Sequence, residues 1–245
     1  MKHYVVQAAS ALLAASLAGP ALAGDAANFN PLGFSEDGRY FAFEEFGIQD
    51  GSGFPYANLT ILDVTEDRWT AGSPFRIRLE EDGATLSDAR DAARMEAEPH
   101  FETLSINTHA LTVALHGDGE PAGDHSTMSF GKPGYGLDGP QDVATLTLTT
   151  TLPAYAGPCV ADYGFDPPVG YRLSLDAPSG TSMLHEDKSV PASRGCTVAY
   201  RIYGIFAPLD WAWQGLTPVA VLSVYTNGFE GPDRRFIALP VTGYP

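Results

Sequence analysis

The chain has 245 residues, with 14 Lys and Arg against 30 Asp and Glu and a formal net charge of −16. So acidic a surface repels a phosphate backbone or an anionic bilayer. Its densest basic cluster, Arg234-Arg235, is flanked by Asp233 and Glu230, so nucleic acid is excluded as a partner. Its two cysteines, Cys159 and Cys196, allow at most one disulfide.

In chain order, the first element is an export signal. Lys2 gives a positive start, Val5 to Ala18 is almost wholly apolar, and Ala21-Leu22-Ala23 is a small-x-small cleavage site. The apolar run, about 14 residues, falls short of the roughly 20 a spanning helix needs. Residues 1–23 therefore read as a cleaved signal peptide, and no Cys follows the cleavage site to carry a lipid. Charges and prolines interrupt every later apolar stretch, so no membrane insertion is expected after cleavage and the mature chain is placed in the periplasm or the medium. Residues 24–245 are enough for a single domain with a real core. In an oxidising compartment Cys159 and Cys196 pair; the loop of roughly 37 residues stabilises by about 3 to 4 kcal/mol on the chain-entropy model.

The mature chain alternates with a period of two. Ala144, Leu146, Leu148 and Leu152 point one way from Val143 to Leu152, with Thr145, Thr147, Thr149 and Thr151 on the other side. Similar runs lie at Tyr40 to Phe46, Leu59 to Val64, Phe75 to Leu79, Leu104 to Leu115, Tyr171 to Leu175, Val198 to Phe206, Val219 to Tyr225 and Phe236 to Val241. The apolar phase switches near Thr108 and His109, which predicts a bulge within one bent strand. Thr85 to Glu98 breaks the pattern: Leu86, Ala89, Ala93 and Ala97 share a helical face, Thr85 and Asp88 form a cap, and Pro99 is a stop. The fold class is thus all-β, mainly antiparallel, with one short helix near 85–98. Two turn-rich stretches, His116 to Asp142 and Asp176 to Arg194, read as long loops.

Leu32-Gly33-Phe34-Ser35-Glu36-Asp37-Gly38-Arg39-Tyr40-Phe41-Ala42-Phe43, followed by Leu59-Thr60-Ile61-Leu62-Asp63-Val64, resembles one blade of a TolB-like β-propeller, covering about residues 30–69. A poorer echo, strand-turn-strand, runs from Val219 to Leu239. Together with the signal peptide, Pro191-x-x-Arg194-Gly195-Cys196 and the closing Gly228-Phe229-Glu230-Gly231-Pro232-Asp233-Arg234-Arg235, the chain is similar to a bacterial family of predicted secreted proteins of unknown function. The resemblance implies export and propeller-like blades, but no reaction. A β-sandwich accounts for the central strands equally well.

No Gly-x-Ser-x-Gly elbow, His-Glu-x-x-His helix or phosphate-binding glycine loop is present. Three constellations carry candidate chemistry. His116, Asp118, Glu120, Asp124 and His125 offer two imidazoles and three carboxylates suited to Zn²⁺ or Ca²⁺, although the twelfth position counted from Asp118 is Ser129 where a calcium loop needs Glu; a solvated acidic loop is the preferred reading, and no cofactor is expected. Glu44, Glu45 and Asp50 with Tyr56 would bind a cation or sugar, but adjacent strand residues face opposite ways, which counts against a carboxylate pair. Trp211 and Trp213 are candidates for an aromatic platform or for core packing. The expected function is non-enzymatic binding of an envelope protein or small ligand. A periplasmic hydrolase with glycosidase-like carboxylates and a metal-binding module are the alternatives.

Overall fold

A computed structural model describes residues 24–118, 123–155, 157–228 and 230–245. The chain first lays down β1 (Asn28–Ser35), β2 (Tyr40–Ile48), β3 (Pro55–Asp63), β4 (Arg68–Trp69) and β5 (Phe75–Arg78). It continues into α1 (Leu86–Thr103) and returns as β6 (Ile106–Thr108). These strands form one antiparallel sheet, β4-β3-β2-β1-β6, with β5 also on β3. The chain then enters a second sheet as β7 (Ala110–Leu115) and leaves to build a third from β8 (Thr127–Lys132), β9 (Gln141–Thr151), β10 (Gly170–Ala177) and β11 (Gly180–Glu186). It comes back to the second as β12 (Thr197–Pro208), β13 (Val219–Asn227) and β14 (Pro232–Pro240). Each later sheet has four strands, ordered β14-β13-β12-β7 and β11-β10-β9-β8. Short helices α2 (Pro158–Ala161) and α3 (Trp211–Gln214) lie in the connections.

Alternation along β13 shows how the sheets stack. Ala220, Leu222 and Val224 pack on Leu146, Leu173 and Leu175 of the third sheet, while Val219 and Val221 pack on Phe34, Phe41 and Phe43 of the first. The second sheet is therefore central and buried on both faces, which is why its strands read as nearly continuous apolar runs rather than as half-wet ladders. The far face of the first sheet, with Ala42, Ala57, Leu59 and Ile61, is covered by Ala89, Ala93 and Ala97 of α1. Small alanines let the helix approach the sheet closely. The result is an open stack of helix and three antiparallel sheets, with no sheet closed into a barrel. The all-β expectation with a short helix holds. β1 to β4 run as a four-stranded meander within the first sheet, and Asp37-Gly38 makes its first turn with Gly38 at φ 71°.

Several expectations need correction. The Thr85–Asp88 capping box forms, but α1 runs through Pro99 to Thr103. Pro99 gives up one backbone hydrogen bond, while the extra turn seats Phe101 and Leu104 against the sheet and Leu104 N–H still reaches the His100 carbonyl. Residues 104–115 are not one bent strand: the phase switch marks the crossing from the first sheet to the second, with β6 and β7 in different sheets. Both turn-rich stretches hide strands, β8 and β11, at the two edges of the third sheet; β8 sends only Met128 and Phe130 into the core, and the first four residues of β11 are exposed. Leu152 falls beyond β9 and is exposed. Cys159 and Cys196 are bonded, with Cα atoms 5.6 Å apart. The expected signal peptide, residues 1–23, lies outside the described residues.

Candidate functional site

On β2 the pleat separates the two glutamates. Phe41, Phe43 and Glu45 face the second sheet, whereas Ala42 and Glu44 face α1. Glu44 is fully buried and accepts from Asn30 Nδ2 at 2.8 Å, from Arg94 at 2.7 Å and from Arg90, whose guanidinium also lies 4.0 Å over the Phe46 ring. Burial alone would raise this carboxyl. The hydrogen bonds from Arg90 and Asn30 and the charge of Arg94 outweigh burial and hold it below the usual carboxylate value. Glu44 is thus a clamp between helix and sheet, not a ligand-facing group.

Glu45 lies in the interface with the second sheet, accepting from Asn58 Nδ2 at 2.9 Å through one oxygen and from the Phe236 N–H at 2.9 Å through the other. Here burial wins over those bonds and over Arg235 and Arg76, and the carboxyl is pushed up. Tyr56 shares this face and donates to Asp25 Oδ1 at 2.7 Å; Arg235 Nη2 holds Asp25 Oδ2 at 2.7 Å and its guanidinium lies 4.9 Å over the Tyr56 ring. Asp50 is elsewhere, in the turn after β2. Of the four residues in this constellation, only Glu45 and Tyr56 are brought to one face. The closing arginines pair with acids far away in the sequence: Arg235 with Asp25, and Arg234 with Asp118 at 2.6 Å.

That second pairing uses one of the five residues proposed for a metal. Asp124 accepts from the Ser126 N–H and hydroxyl, and the rings of His116 and His125 stack with centroids 4.3 Å apart. Glu120 lies outside the described residues. Among the described residues no three His, Cys, Asp or Glu side chains stand together as an ion would require. The two tryptophans part company as well: Trp211 is in the core and Trp213 is exposed beside Tyr135, with ring centroids 5.7 Å apart. They do not make one platform.

Instead, a cleft of about 500 Å³ opens where the first sheet, β14 of the second and β10–β11 of the third meet. Its floor carries a row set by strand register: Glu45 pairs with Asn58 across β2 and β3, and Asn58 with Arg76 across β3 and β5. Arg68 and Trp69 of β4, the latter opposite Leu62, and Asp67 in the β3–β4 turn form one wall. Asp67 takes the left-handed backbone, at φ 47°, as short acidic residues tolerate in turns. Asp67 is exposed at the cleft wall, where partial desolvation pushes its carboxyl up and nearby His185 partly offsets this.

The opposite wall is held by Asp187, which accepts from the Tyr171 N–H at 3.0 Å, from His185 Nε2 at 3.0 Å and from Arg194 Nη1 at 2.7 Å. Burial would raise its carboxyl; these donors together lower it. Arg194 precedes Cys196 by two residues, so the disulfide ties this wall to α2. Sequence reading did not single out Trp69, Arg76, His185 or Arg194 as site residues. Alternation in Phe75-Arg76-Ile77-Arg78 does place the two arginines opposite the inward-facing apolar pair, but nothing local to the chain tells which element that face meets.

Residues 42–242 match a family described as predicted secreted protein (DUF2259). No curated protein and no solved structure matches the chain. Among the described residues no helix is long and apolar enough to cross a membrane.

Proposed function

We propose that this chain, which belongs to that family of predicted secreted proteins, is a non-enzymatic binding protein of the bacterial cell envelope whose recognition site is the cleft between its three sheets. The observation that carries this reading is the cleft itself. Its volume of about 500 Å³ is that of a small-molecule site, and a bound molecule would touch all three sheets at once. Rigid strands supply the floor and turns supply the walls, a division that suits recognition.

The state of the buried acids favours binding over hydrolysis. Both Glu45 oxygens and both Asp187 oxygens already accept from fixed donors, which supports anchoring roles rather than proton transfer to a substrate.

A fragment screen by ¹H–¹⁵N NMR on residues 24–245 tests the reading. Perturbations are expected at the Trp69 indole and the backbone of β5 and residues 191–194. Ser193→Trp, at an exposed position of the cleft wall, is expected to abolish them by filling the space. Perturbations centred elsewhere, or unchanged in Ser193→Trp, would overturn it.

A further inference from the structure

We infer that the cleft takes a small anionic organic molecule, its carboxylate or phosphate held by Arg76 and Arg194 with Arg68 at the lip, and its planar part against Trp69. This rests on the reading of the cleft as a binding site and adds the class of ligand.

The argument is a count of donors against acceptors. The chain holds 30 acidic residues against 14 basic ones, so an arginine has an excess of carboxylates to pair with. Four arginines nevertheless line this cleft, together with only two acids, Glu45 and Asp67. Arg235 is spent on Asp25, and Arg194 places Nη1 on Asp187 and on the Tyr200 hydroxyl at 3.4 Å. Nothing comparable occupies Arg68 or Arg76: among the described residues neither makes an ion pair within 4.0 Å.

The acceptors are committed in the opposite sense. The oxygens of Glu45 in the cleft, and of Asp25 and Asp187 behind it, are each bonded to a named donor. Buried polar groups that already have partners ask nothing of a ligand, whereas a guanidinium carries five N–H donors in a fork that fits a carboxylate or phosphate edge to edge. A ligand that brings acceptors fits this surplus; a cation or a donor-rich sugar does not. Asp67 is the repulsive element. It sits on the Trp69 wall next to Arg68, within electrostatic reach of His185, and is outnumbered by Arg68, Arg76 and Arg194. Trp69 is 38 % exposed, so its ring offers a flat apolar surface beside these donors.

Titration calorimetry of residues 24–245 with phenyl phosphate, benzoate, inorganic phosphate, benzyl alcohol and phenyltrimethylammonium tests this. Phenyl phosphate or benzoate is expected to bind at least tenfold more tightly than benzyl alcohol or the cation, and to weaken as salt screens the guanidiniums. Whichever of the two is tighter assigns the head group, and a gain over inorganic phosphate assigns the planar part to the Trp69 wall. Arg68→Gln with Arg76→Gln, both exposed and without ion pairs, is expected to keep the unfolding midpoint and lose the anion preference at least tenfold. Equal binding of the neutral or cationic probe, or unchanged anion binding in the double variant, overturns the inference. If fragments seat in the cleft with no anion preference, the binding reading survives and only this inference falls.

Discussion

Glu44 and Glu45 are consecutive, yet their carboxylates lie on opposite sides of the first sheet, one clamped by Arg90 and Arg94 of α1 and the other by the Phe236 N–H of the second sheet. One dipeptide thus fastens β2 to both of its neighbouring layers.

Removing the helix-side member strands two guanidiniums above an apolar face. Glu44→Ala is expected to cost about 3 kcal/mol, since breaking a buried ion pair leaves the remaining charge without compensation. Urea denaturation measures it, and amide exchange should show α1 loosening first. A loss below about 1 kcal/mol, typical of an exposed pair, would show that the clamp is ornamental.

The two carboxyls have opposite consequences with pH. Glu44 titrates below its ordinary 4.5 when folded, so its stabilisation is complete above that value and is lost as pH falls through the folded one. Glu45 titrates above 4.5 when folded, so its contribution is present below 4.5 and is lost as pH rises through the folded value. Across a urea series, Glu44→Gln should flatten the acid limb and Glu45→Gln the limb above pH 4.5. Slopes identical to the parent's in either variant would contradict the assignment.

Reduction of Cys159–Cys196 is expected to lower stability by about 3 to 4 kcal/mol, because it restores the entropy of a long loop to the unfolded chain. Since Cys196 anchors the turn that presents Arg194, probe binding in the cleft should weaken in Cys159→Ser/Cys196→Ser under conditions where the fold persists. Unchanged binding there would separate the disulfide from the site.

Gly47 is where a side chain has no room: a Cβ would stand 2.9 Å from the Tyr56 hydroxyl, which donates to Asp25. Gly47→Ala should push Tyr56 aside and cost about 1 to 3 kcal/mol by leaving a buried carboxylate oxygen without its partner. Faster exchange of the Ala27 and Arg234 amides, which join the first residues of the fold to β14, is the specific sign. Unaltered exchange would mean that Tyr56 does not hold that segment.

Local signals were sufficient wherever the physics was local. Nine alternating runs located ten of the strands, with β6 and β7 merged into one, the Thr85–Asp88 box placed the start of α1, and two cysteines could pair only with each other. The separation of Glu44 from Glu45 was also legible, because the pleat alone determines it. β8 alternates only twice, at Met128 and Phe130, too briefly to stand out from the turn residues around it, and the first four residues of β11 are exposed; Pro99 was misleading because packing of Phe101 and Leu104 outweighed one lost hydrogen bond.

The cleft belongs to the tertiary structure. Asn58 and Arg76 are paired by register across 18 positions, and Trp69, His185 and Arg194 arrive from different sheets and turns. Short-range chemistry tells each of these residues which side of its own strand it occupies. Which layer covers that side, and which donors are left without acceptors once every layer is in place, depends on contacts that exist only after the three sheets have stacked.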